Sequence, residues 1–147
     1  MPTTARLVAA LWFATIGWLA ANAFVPQLGA GASAGYLREV AAGIGLLSGW
    51  LVMGAMAGRG YSDAVGIGLT TSVILALLTL LGFSTWEMVV DATHGRYGDS
   101  PMAAIAGIFS TMLDHAGQMA IPGVLGTLVL GGIVGGLAVE GASRTWR

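Results

Sequence analysis

The sequence predicts an all-α polytopic membrane protein, with four transmembrane helices and an amphipathic helix on the outer side. Three observations carry this prediction. Of the 147 residues, 56% are hydrophobic and only 9% are charged, whereas soluble domains carry about 25% charged residues. Apolar runs of roughly spanning length recur four times along the chain. The 24 glycines recur inside those runs at helical spacing, which suits close helix packing in lipid. A single helical bundle over residues 1–147 accounts for all of it.

Composition excludes several functions. The six cations are all arginine: Arg6, Arg38, Arg59, Arg96, Arg144 and Arg147. The formal net charge is −1, so no basic patch exists to grip nucleic acid. There is no cysteine, which removes disulfides, thiolate metal sites and thiol redox chemistry. The expected partner is the lipid bilayer, with a homo-oligomer or a larger membrane complex as further possibilities.

The first span is expected at residues 5–25. Its positive start at Arg6 and its Ala21-Asn22-Ala23 triplet also resemble a signal peptide, but the run is longer than a usual signal core. An uncleaved helix is therefore expected. Residues 26–35 (PQLGAGASAG) read as a loop.

The second span is expected at residues 40–57, within the stretch GIGLLSGWLVMGAMAGRGY that begins at Gly43. At roughly 100° per residue, Gly45 and Gly49 share one face, while Gly43, Gly54 and Gly58 fall near the opposite one. A helix thinned on both sides should have neighbours on both sides, which would make this segment the central post of the bundle. The short turn at Gly58–Asp63 makes the second and third helices antiparallel neighbours. Ser62 or Asp63 is placed to cap the third.

The third span is expected at residues 64–86. The hydroxyls of Thr70, Thr71 and Ser72 inside it can bond back to the preceding turn. Residues 87–100 are the most polar stretch. Residues 102–118 follow as an amphipathic helix: Ile105, Ile108, Phe109, Met112 and Leu113 gather on one arc, and Ser110, Thr111, Asp114 and Gln118 on the other. This helix fits the interface plane or the outer part of a long fourth helix. Pro122 fits the first turn of a new helix or a kink, and a separate or strongly bent segment is favoured. The last span is expected at residues 119–139, with Gly131, Gly132, Gly135 and Gly136 on its protein side and residues 140–147 as a short basic tail. Helix packing is therefore expected at Gly45, Gly49, Gly54, Gly58, Gly131 and Gly135.

Arginine bias sets the topology. With both termini cytoplasmic, Arg6, Arg59, Arg144 and Arg147 lie inside, and Arg38 and Arg96 outside. Tyr36 and Trp86 then suit the outer interface, and Tyr61 and Trp146 the inner one.

Residues that could carry chemistry are sparse. Glu87, Asp91 and His94 share a helix face at i, i+4 and i+7, and Asp114 and His115 return to the same side of the membrane. Glu87, Asp91, His94 and His115 are candidate ligands for Zn²⁺ or Mn²⁺. No sharp metal motif accompanies them, and an interfacial polar cap is the simpler reading. No nucleophile elbow, catalytic triad or phosphate-cradling loop is present. The Gly58-Arg59-Gly60 turn is too short for phosphate binding. No cofactor and no enzymatic activity are expected.

Four segments together resemble the TrgA family, small inner-membrane proteins of the Rhodobacter group named for an association with tellurite resistance. They are MPTTARLVAAL at the start, GWLVMGAMAGRGY followed by GLT, the Glu87-Met88 pair, and the closing Glu140…Arg144-Thr145-Trp146-Arg147. The likeness covers nearly the whole chain, and Gly49–Thr70 is its most specific part. It departs at Tyr97-Gly98-Asp99-Ser100-Pro101 in the outer loop. The resemblance implies a bacterial inner-membrane protein tied to tellurite resistance, and brings no catalytic residues with it. An accessory subunit of a larger respiratory or photosynthetic complex is the alternative; a metal-dependent membrane enzyme is the third.

Overall fold

The computed structural model describes residues 3–28, 35–95, 98 and 100–146. Among these the protein is helical throughout, with no strand. Helix α1 is Thr3–Phe24, followed by a 3₁₀ turn at Val25–Leu28. Helix α2 is Leu37–Met56, α3 is Tyr61–Thr93, α4 is Pro101–Met119 and α5 is Pro122–Thr145. Helices α1, α2, α3 and α5 are long and apolar enough to cross a membrane. Parts of two expected loops, residues 29–34 and residues 96, 97 and 99, lie outside the described residues.

Two glycine-lined helix pairs build the bundle. Along α1 and α2 the backbones nearly touch. A Cβ at Gly45 would lie 2.7 Å from the Phe13 carbonyl carbon, and one at Gly49 would lie 2.8 Å from that of Ala9. Gly17 meets the Ala41 carbonyl in the same way. Along α3 and α5, Gly68 faces the Gly132 carbonyl and Gly136 faces the Ala64 carbonyl. No other residue type fits at such contacts, and the close approach maximises dispersion between helices that gain no hydrophobic free energy from leaving lipid. The two pairs join where α1 meets α5. Gly131 receives Ile16 and Gly135 lies under the Trp12 ring. The Trp12 indole N–H also donates to the Gly131 carbonyl at 3.0 Å. Contacts between α2 and α3 close the ring.

The central-post expectation for the second span is thus corrected. Its packing glycines all face one neighbour, α1, while Gly43 is exposed with open space beyond it. Gly54 also turns to α1, where a Cβ would lie 2.8 Å from the Arg6 Cα. The cause is a π-helical turn at Gly49–Met53, in which the Gly54 N–H bonds to the Gly49 carbonyl. On a regular helix Gly54 would sit about 140° from Gly49; the one extra residue in the turn takes back about 100° and restores the shared face. Gly58 is not on the α2 helix face. It lies in the α2–α3 turn with φ +93°.

Several boundaries also move. Helix α3 starts with Gly60 as its N-cap residue and no side-chain cap, so Ser62 and Asp63 do not serve as predicted. It then runs 33 residues, about 50 Å against a hydrocarbon core of about 30 Å. The excess, through Thr93, is covered by α4, which packs along it. Ser100 caps α4 by accepting from Ala103 N–H, with Pro101 at the first position. Pro122 opens α5 as a separate helix. No side chain of α4 is fully buried. Its Ile108, Thr111 and His115 are half-buried, whereas Met102, Ile105, Phe109 and Leu113 are exposed. The apolar arc is therefore mostly outward. In α3, Thr70 and Thr71 bond back to Gly66 and Ile67 as expected. Ser72 does not: its buried hydroxyl has no hydrogen-bond partner among the described residues.

The packing predicts that Gly49→Ala destabilises the bundle by about 1–3 kcal/mol, the range for overpacking a filled core. Gly43→Ala, in open space, should be neutral or slightly stabilising. Melting both variants in one detergent checks this; equal melting temperatures would place Gly49 against lipid.

Candidate functional site

The candidate metal ligands lie at the end of the bundle away from the termini. Glu87 and Asp91 sit one turn apart on α3, and His94 follows its last residue. The structure brings Glu87 and His115 together, with Nε2 3.7 Å from Oε2, an ion-pair distance too long for a hydrogen bond. His115 Nδ1 is 2.8 Å from the Thr111 carbonyl. That nitrogen donates to the carbonyl, which leaves Nε2 facing Glu87. The ring rests against Phe24 and, edge-on, against Phe83, with centroids 5.9 and 5.3 Å away. His94 bonds instead to the Val90 carbonyl of its own helix at 2.8 Å and is exposed. Asp91 is half-exposed. Among the described residues no three of His, Cys, Asp and Glu are grouped to hold a metal ion. What the arrangement does physically is tie α4 to α3 and to the end of α1 through one polar pair between two phenyl rings.

A second polar site, at the end of the bundle that carries the termini, was not anticipated. The α2–α3 turn places Gly58 at φ +93° and Gly60 at φ +119°, conformations that glycine adopts without strain. Both N–H groups then point at α5. Glu140 fills the space between: its Oε2 accepts from Gly58 N–H at 2.7 Å, and its Oε1 from Gly60 N–H at 3.1 Å. The same Oε1 accepts from Arg144 Nε at 3.0 Å. The Arg144 guanidinium lies over the Tyr61 ring, 4.7 Å from its centroid, at cation–π range. Ser143 donates its hydroxyl to the Glu140 carbonyl at 2.8 Å.

The Glu140 side chain is 1% exposed. Burying a carboxylate costs several kcal/mol unless its oxygens are satisfied. Three charge-assisted bonds and the positive end of α3 satisfy them here. Helix α5 thereby pins the turn that leads into α3.

The sequence puts Glu140 at the start of a short basic tail because the apolar run ends at residue 139; the helix continues through Thr145. Two signals were available. Glu140 and Arg144 stand at i, i+4 directly after an apolar run, and a Gly-x-Gly turn presents free N–H groups. That turn does hold an oxyanion, one that the chain itself provides.

Removing the carboxylate should leave two backbone donors and a cation without an acceptor. Glu140→Ala is expected to cost about 2–4 kcal/mol, and Glu140→Gln less. Arg144→Ala should cost least, because the Arg144 side chain is 52% exposed and water replaces its bond. Thermal melts of the three variants test the ranking; a silent Glu140→Ala would show that the turn holds itself.

Comparisons of the chain with protein-family models, with curated proteins and with solved structures found no match.

Proposed function

We propose that this is a non-enzymatic multi-pass protein of the bacterial inner membrane, of the TrgA kind, with both termini cytoplasmic. In this reading it supports tellurite resistance by acting on membrane partners or by altering oxyanion passage. One observation carries it. Two of the segments that carry the resemblance, GRGY at Gly58–Tyr61 within Gly49–Thr70 and the closing Glu140…Arg144, are 82 and 80 residues apart where they bond, yet they meet in a single clasp. The clasp gives these two segments one shared structural task. The lack of cysteine turns the proposal away from thiol reduction of tellurite by this chain.

The arginine bias supports the orientation. The clasp places Arg59 and Arg144 at one end of the bundle, and Gly54 places Arg6 there too.

A second reading, an accessory subunit of a larger respiratory or photosynthetic complex, is favoured by α4. Its Met102, Ile105, Phe109 and Leu113 are 74%, 50%, 61% and 74% exposed, an apolar stripe that a partner subunit would cover where lipid does not.

Deleting the gene should lower tolerance of tellurite, and the wild-type chain should restore it; unchanged tolerance would remove the resistance role. Reporter fusions at Arg147 and near Gly98 should report opposite compartments, the first cytoplasmic. A stoichiometric large partner in a native purification would favour the accessory reading.

A further inference from the structure

We infer that the groove between the end of α2 and the start of α3, at the end of the bundle that bears the termini, seats the headgroup of an aminophospholipid of the phosphatidylethanolamine class. The groove has a volume of about 400 Å³, and Met56, Arg59, Ser62, Asp63, Gly66 and Ile67 line it. It has a polar end and an apolar one. Arg59, Ser62 and Asp63 are exposed at the end of the bundle, while Met56 and Ile67 form half-buried walls. Gly66 keeps the way open between them: it is exposed, and a Cβ there would meet nothing within 4 Å. Thr70 follows one turn on, its hydroxyl already given to the Gly66 carbonyl at 2.9 Å, so it makes no polar demand on the groove. Val73 and Leu77 continue the exposed face of α3 at 57% and 49%. The surface thus grades from charged to apolar in the direction in which a phospholipid does the same.

Charge complementarity selects the headgroup. Arg59 and Asp63 carry opposite charges on one rim. Among the described residues, neither makes an ion pair or a side-chain hydrogen bond, with the other or with any third residue. A fatty acid would bring a second carboxylate to Asp63. Phosphatidylglycerol would satisfy Arg59 and bring Asp63 no positive charge. A choline headgroup has the charge but no N–H to donate. Phosphatidylethanolamine offers a phosphate to Arg59 and an ammonium with three donors to Asp63, and the Ser62 hydroxyl stands between them in sequence as a further donor to phosphate. Guanidinium–phosphate and ammonium–carboxylate contacts are the charge-assisted kind. The site needs only that α2 and α3 span a membrane, so it stands or falls apart from the tellurite role.

The test is native mass spectrometry of the full chain in detergent, given equal amounts of dioleoyl phosphatidylethanolamine, phosphatidylglycerol and phosphatidylcholine. Wild type should retain the ethanolamine lipid about twofold to fivefold over the other two, the worth of one exposed ion pair. Asp63→Asn should lower its retention to that of the choline lipid. Arg59→Gln should lower retention of all three, and so should Gly66→Leu, which fills the groove. These positions are exposed, so the variants should melt as wild type does. Equal retention of the three lipids by wild type overturns the inference, with no variant needed. So does an Asp63→Asn chain that keeps the wild-type preference. Displacement of the lipid by millimolar inorganic phosphate also overturns it, because Arg59 would then serve a free anion.

Discussion

The structure depends on backbone approaching backbone. In a membrane the helices satisfy their own hydrogen bonds, and leaving lipid for protein yields little hydrophobic free energy. Stability between helices must then come from contact density, and glycine is the residue that permits it. Gly17, Gly45 and Gly49 bring α1 and α2 together, and Gly68 and Gly136 do the same for α3 and α5. Where the pairs join, large meets small: Ile16 on Gly131 and Trp12 on Gly135. Glycine weakens an isolated helix by about 1 kcal/mol per residue in water, a cost that matters less where the backbone has no alternative partner.

Side-by-side packing of helices does not by itself fix their ends. At the end bearing the termini, Glu140 does so by binding the α2–α3 turn to α5. At the other, the Glu87–His115 pair and the two phenylalanines fix α4 on the overshoot of α3. The two devices differ in burial. Glu140 is sealed and saturated with donors, whereas Glu87 and His115 face one another at a distance where a bond is incomplete. The first serves architecture. The second leaves α4 the less firmly held helix, with its apolar stripe facing outward.

Fold class, the number of spanning helices and the separate helix starting at Pro122 were legible from hydropathy and proline placement, because those signals are local. The pairing of glycines was legible only while the helix stayed regular. Gly45 and Gly49 could be placed on one face from their spacing, but Gly54 could not, because nothing in GWLVM announces a π-helical turn. Ser72 illustrates a similar limit: a serine and a threonine read alike in sequence, and only packing against Gly132 decides that its hydroxyl leaves the backbone. Glu140 was missed for a different reason. A charge after an apolar run ordinarily marks the interface, and its burial depends on a turn 80 residues earlier in the chain.

The bundle rests most directly on the register in which α1 is held between α2 and α5. The absence of native cysteine makes that register measurable by cross-linking. Ile16 Cγ1 would lie 3.0 Å from a Cβ at Gly131, which puts the two Cβ positions near the roughly 3.5–4.5 Å separation a disulfide needs. Ile16→Cys with Gly131→Cys should therefore cross-link within one chain on mild oxidation in membranes. Ile16→Cys with Gly43→Cys should not. The reverse result would mean that α1 packs against a different face of its neighbours and would contradict the glycine-paired bundle.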